Sequence, residues 1–127
     1  MLSDRGLHAA LESLAHRARV PVELDTDIDR RLPDRVESTA YFVVSEALTN
    51  VAKYARATHA CVRVRRDDGE VTVEISDDGV GGADPTTGSG LRGLVDRVSA
   101  VEGRLDVDSE HGQGTTVRAT IPCDAIG

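Results

Sequence analysis

Between residues 59 and 78, apolar and polar side chains alternate almost without a break on either side of Asp67-Asp68-Gly69. HACVRVRRDD and EVTVEISDD therefore read as two half-buried strands. A period of two sends alternate side chains to opposite faces, and Asp-Gly suits the hairpin turn between them. RLDVDSE and GTTVRATIP read as further strands of the same kind, and VPVELD, residues 20–25, as a short one with Pro21 near its start or on an edge. The rest of the chain supplies helices. GLHAALESLAHRAR, residues 6–19, sets Leu7, Leu11 and Leu14 at helical spacing. From about 34 to 56, Val36, Ala40, Val43, Val44, Ala47, Leu48 and Val51 recur at three- and four-residue steps, with Pro33 opening the element. LRGLVDRVSAVEG carries Leu91, Leu94, Val95, Val98 and Val101 on one face, with Gly103 past its end as a C-cap. Strands half-buried on one face and helices grouped on the other give an α+β fold, a two-layer sandwich.

Composition narrows the function classes. A chain of 127 residues suits one domain, with no internal repeat or linker, and 29% charged residues with regular apolar spacing exclude disorder. No apolar run approaches the roughly 20 residues of a membrane span, and MLSDRGLHAA lacks the pattern of a secretion signal, so a cytoplasmic domain without membrane contact is expected. Cys61 and Cys123 have no metal-type spacing and read as two reduced thiols. The net charge of −7 disfavours a nucleic-acid partner, and residues 67–110 alone carry 12 acidic against 3 basic side chains. Carboxylates beside glycines there suit either turns or a site for a cation or an exocyclic amine. Lys53 is the single Lys among 15 basic residues.

Four short patterns carry chemistry. On the long helix, Glu46, Asn50 and Lys53 fall within about 60° of one another, at the rim of the apolar face. A carboxylate, an amide oxygen and an ammonium on one such stripe suit a metal–phosphate group; an ordinary polar flank is the competing reading. DDGVGG, residues 77–82, places Asp77 at a strand end before glycines that let a flat ligand approach the backbone. GSGLRG, residues 88–93, is literally G-x-G-x-x-G, but no strand precedes it, so it is not a dinucleotide fingerprint. It also lacks the lysine and loop motifs of a eukaryotic-type protein kinase. What remains is glycines leading into a helix N-terminus, which attracts phosphate. GQGTTV, residues 112–117, reads alone as a tight turn before a strand.

The order of these patterns is specific. Glu-x-x-x-Asn on a helix, then D-x-G-x-G, G-x-G-L and G-x-G-T, resembles the four boxes of the Bergerat-fold (GHKL) ATPases, the superfamily of gyrase, Hsp90, histidine kinases and MutL. YFVVSEALTNVAKYARAT, residues 41–58, and GLRGLVDRVSAVEGRLDVDSEHGQGTTVRATIP, residues 90–122, resemble the catalytic domain of two-component sensor histidine kinases of the nitrate-sensor type. RLPDRVES before the first box is similar to the same group.

That resemblance implies a two-layer α/β sandwich with a mixed sheet and helices on one face, binding ATP and Mg²⁺. By it, Asn50 would hold Mg²⁺, and Asp77 would accept a hydrogen bond from the adenine amino group, helped by Thr115. Gly79 and Gly81 would let the backbone pass close to the base. Gly88, Gly90 and Leu91 would bring a helix N-terminus to the phosphates, beside Lys53. Glu46 would either activate a nucleophile or orient the metal shell. Tyr54 stands where this subgroup usually has His, and Asp78 where many relatives have Asn.

The resemblance also implies partners. The γ-phosphoryl group would pass to a histidine on a dimerisation domain and then to a response regulator. His8, His16, His59 and His111 lack the acidic context of such an acceptor. Residues 1–19 would then continue from an absent dimerisation domain, with 20–127 the catalytic domain. The piece alone would be a monomer cut from a homodimeric parent, with or without a membrane anchor. Two rival readings are a stand-alone anti-sigma-factor kinase acting on Ser or Thr, and a non-catalytic nucleotide-sensing module.

Overall fold

In a computed structural model, residues 6–18, 20–28, 32–51, 58–67, 69–79, 91–109 and 114–122 are described. They form three helices, α1 (Gly6–Arg17), α2 (Asp34–Asn50) and α3 (Leu91–Ser99), and five strands. The strands are β1 (Val22–Asp27), β2 (Ala60–Asp67), β3 (Glu70–Asp77), β4 (Arg104–Ser109) and β5 (Thr115–Pro122). The sheet order is β1-β2-β3-β5-β4. Only β1 and β2 run parallel, and the other neighbours are antiparallel, so the sheet is mixed as expected. The parallel pair needs a crossover, and α2 provides it.

Alternation fixes which face is covered. Val62, Val64, Val71, Val73, Ile75, Val117, Ala119 and Ile121 are buried with Val36, Ala40, Val43, Val44 and Ala47 of α2 in one core. Alanines and valines on α2 let the helix axis lie close to the sheet. Leu94 and Val98 of α3 and Leu7 and Leu11 of α1 complete the core from either side. Arg97 of α3 stacks 4.2 Å from the ring centroid of Phe42 on α2, a cation–π contact that joins the two helices. Among the described residues no helix is long and apolar enough to cross a membrane.

The uncovered face is polar and ordered. Cross-strand register places Asp25, Arg63, Glu74, Arg118 and Asp106 in one row, with signs alternating over all five strands. Arg118 Nη2 lies 2.5 Å from Glu74 Oε2 at the centre of that row.

Several boundaries differ from the sequence expectation. β1 keeps the expected inward face but lies two residues later, because its pairing with β2 runs on to Asp27–Arg65. Pro21 has no N–H for a ladder, and its carbonyl instead accepts from Ala60 N at 3.0 Å. Pro33 caps α2 rather than entering it, and its carbonyl accepts from Val36 N at 2.9 Å and Glu37 N at 3.0 Å. Glu37, which the sequence did not single out, is buried at 2% exposure, and its Oε2 accepts from Leu32 N at 3.2 Å. A carboxylate in the first turn complements the helix dipole. α2 ends at Asn50, and residues 52–56 of the expected helix lie outside the described residues. β2 and β3 pair antiparallel out to Asp67 and Glu70, the expected hairpin, with Gly69 at φ 78°, while Asp68 lies outside the described residues.

The end of α3 has a different cause from the one expected. Gly103 N donates to Val98 O at 3.0 Å and Glu102 N to Ser99 O at 3.0 Å, a Schellman arrangement whose left-handed residue is Glu102, at φ 62°. Gly103 is needed for space instead, since a Cβ there would lie 2.6 Å from Thr120 O on β5. Gly103→Ala is expected to lower stability by about 1–3 kcal/mol, because backbone must shift to admit the methyl group. Urea unfolding of the variant checks this, and an unchanged midpoint would show that the helix end moves freely from β5.

Candidate functional site

The core-facing series Val71, Val73 and Ile75 on β3 continues by the same alternation to Asp77. A carboxylate thus occupies the last inward position of a central strand, at the rim of the core. It is in register with Ala60 on β2 and Thr115 on β5. Burial pushes the Asp77 carboxyl above the usual aspartate value, while hydrogen bonds from the backbone of Gly79 and Thr115 oppose the rise. Gly79 N donates to Asp77 Oδ1 at 2.8 Å, an Asx turn that starts the glycine-rich stretch. Gly79 therefore holds the carboxylate through its backbone N–H.

The next residue behaves in the opposite way. Asp78 Oδ1 accepts from Thr58 N at 2.7 Å and His59 N at 3.1 Å. Its Oδ2 accepts from the Thr58 hydroxyl and lies 3.0 Å from His59 Nδ1. The Thr58 hydroxyl, followed by the two backbone N–H groups, holds the Asp78 carboxyl far below the usual range. Two adjacent aspartates are thus pushed apart in acidity, the inner one up and the outer one down.

Gly114, at the entry to β5, makes this packing possible. It has φ 78°, and a Cβ on it would lie 2.1 Å from the Asp77 carbonyl oxygen. The sequence reading gave it only a turn, although its place in the G-x-G-T pattern was the signal for a close approach.

On α2, Glu46 and Asn50 are both half-buried and one helical turn apart. Asn50 Nδ2 is buried with no hydrogen-bond partner among the described residues. A buried amide without a partner costs about 1–3 kcal/mol, so it is an unusual place to leave one unless a ligand completes it. Among the described residues no three His, Cys, Asp or Glu side chains group as a metal cage. The unpartnered nitrogen is a donor for an anionic ligand oxygen such as a phosphate. Asn50 Oδ1 and the Glu46 carboxylate are oxygens of the kind Mg²⁺ takes, commonly one or two from protein with ligand phosphates and water. Leu91 opens α3. Lys53, Tyr54, Gly81, Gly88 and Gly90 lie outside the described residues, as does Cys123, while Cys61 is a free thiol on β2.

Residues 35–125 match the family model described as histidine kinase-, DNA gyrase B- and HSP90-like ATPase. The chain belongs to this family. Within it, the chain is similar to an uncharacterized sensor-like histidine kinase of Chloroflexus aurantiacus, 34% identical over 98% of this chain and 24% of that protein. It is 35% identical to the oxygen sensor histidine kinase NreB of Staphylococcus carnosus, over 95% of this chain and 38% of the relative. Among solved structures, a blue-light activated histidine kinase of Erythrobacter litoralis superposes with a TM-score of 0.70 at 26% identity, covering 92% of this chain and 40% of that one. The chain therefore spans between about a quarter and two-fifths of the length of these relatives. It is an ATP-binding catalytic domain of the histidine kinase type, with the two-layer fold of that family.

Proposed function

We propose that this domain binds Mg-ATP and donates its γ-phosphoryl group to a histidine on a dimerisation domain, for relay to a response regulator. In that transfer the bond from the γ-phosphorus to the β–γ bridging oxygen breaks and ADP leaves. A phosphorus–nitrogen bond forms from the lone pair of the unprotonated acceptor ring nitrogen, and the proton on the other ring nitrogen passes to solvent or a nearby base. Asp77 accepts the adenine amino group with Thr115 beside it, and Gly79 and Gly81 pass close to the base. Lys53, Tyr54, Gly88, Gly90 and Leu91 serve the phosphates. Asn50 holds Mg²⁺, which when bound neutralises phosphate charge, and Glu46 orients its surroundings or the nucleophile. Transfer of this kind relies on positioning and electrostatics more than on covalent work by the protein. Residues 1–19 would continue from the dimerisation domain, and the catalytic piece alone is a monomer.

The observation that supports this reading best is the half-buried Asp77 carboxylate in register with Thr115 at the end of an otherwise apolar series. The test is calorimetric titration of ADP and GDP into wild type and Asp77→Asn. The variant is expected to lose about tenfold in ADP affinity, roughly 1.4 kcal/mol, and most of the preference for adenine. A preserved preference would mean that the base is read elsewhere.

The sign with pH is fixed by the raised carboxyl. A group whose acidity is weakened by folding favours the folded state most in acid, and that contribution is lost as pH rises through its raised value. Base recognition needs the ionised acceptor, so the affinity for ADP is expected to fall on acidification before an ordinary aspartate would titrate.

A further inference from the structure

Thr58 is the next described residue after Val51, which follows the helix that carries Asn50, and Asp78 directly follows Asp77. We propose that the Thr58–Asp78–His59 cluster is a positioning clamp for the nucleotide site, tying the chain that returns from α2 to the end of the base-reading strand. This rests on the reading of Asp77 as the adenine acceptor.

The geometry is specific. The last register pair between β2 and β3 is Ala60–Asp77, and beyond it a strand end would ordinarily fray. Here Asp78 N reaches His59 O at 3.4 Å, and both carboxylate oxygens of Asp78 are engaged by Thr58 and His59. Alternation turns the Asp78 side chain away from the core face that receives Asp77, so it stands outside the base-reading position and acts through the backbone. His59 and Asp78 are 57% and 37% exposed, so burial does not explain the cluster. What it fixes is relative position. Val51, directly after α2, is buried, and the clamp holds Thr58 and His59 against the end of β3. Small misplacements of a binding group are costly, so strand-end fraying would reach the ligand as lost affinity.

The experiment is ADP titration, with and without Mg²⁺, into wild type, Asp78→Ala, Asp78→Asn, Thr58→Val and Asp77→Asn, each measured well below its thermal midpoint. Asp78→Ala is expected to weaken ADP binding about tenfold. Thr58→Val should lose less, in the same direction. Asp78→Asn should restore most of the affinity, since its oxygen accepts the two N–H groups and its amide can donate to the Thr58 hydroxyl. A folded Asp78→Ala domain with wild-type affinity and only a lowered midpoint would overturn the clamp as a positioning device. So would equal losses in the Ala and Asn variants. If Asp77→Asn weakens ADP while Asp78→Ala does not, this inference fails alone. If Asp77→Asn changes nothing, the site reading fails and the inference with it.

Discussion

Gly114→Ala is expected to be the most damaging single substitution, costing about 3 kcal/mol or more, a large share of the stability of an ordinary domain. Two independent penalties meet at this position. The backbone is at φ 78°, where a side chain costs about 1–2 kcal/mol, and a methyl group there would lie 2.1 Å from the Asp77 carbonyl oxygen. Neither neighbour can retreat easily, because Asp77 is paired on both sides, with Ala60 and with Thr115. Overpacking against paired backbone adds about 1–3 kcal/mol to the conformational term. Chemical unfolding followed by far-ultraviolet circular dichroism checks the loss. A midpoint within error of wild type would mean that β5 enters the sheet along a path other than the one described.

Asn50→Ala is expected to separate stability from function. Its buried amide nitrogen has no partner among the described residues, so truncation removes a desolvated group and should leave the thermal midpoint unchanged or slightly raised. Mg²⁺-dependent strengthening of nucleotide binding should disappear, a loss of roughly tenfold to a hundredfold in affinity, or about 1.4–2.8 kcal/mol. Titration of ADP with and without Mg²⁺ reads both arms. Mg²⁺-dependence that survives the substitution would remove Asn50 from the metal site. A large fall in the midpoint would show that the amide is part of the folded core rather than held in reserve for a ligand.

Much of this was legible before any coordinates. Val71, Val73 and Ile75 announce a strand with one buried face, and the same parity carries Asp77 to the rim of that face. The pattern on α2 likewise sets Glu46 and Asn50 one turn apart beside the core. Three features were less legible, each for a physical reason. The bonds from Thr58 and His59 to Asp78 cross about 20 residues of sequence and join side chain to backbone, a pairing that no periodicity reports. Gly103 stood at a helix end, where glycine ordinarily supplies the left-handed residue, yet Glu102 takes that conformation and the glycine answers to crowding by β5. β1 offered the right alternation over a sliding window, and only its pairing with β2 fixed the start.

The charged row on the open face solves a problem that the core leaves unsolved. Inward positions on the three central strands are nearly all valine, isoleucine or alanine, so sliding a strand by two residues would bury much the same material. A slip by one is forbidden because it turns every side chain over, whereas a slip by two costs the core little. On the other face it would be noticed at once. Moving β5 by two against β3 would set Arg118 opposite Thr72 or Ser76 and leave Glu74 facing a threonine. Opposed charges on neighbouring strands contribute about 0.2–1 kcal/mol each, too little to hold a domain together but enough to rank competing alignments. Correct alignment is what brings Thr115 level with Asp77, so the solvent-facing side of the sheet proofreads the assembly of a site on the side it never touches.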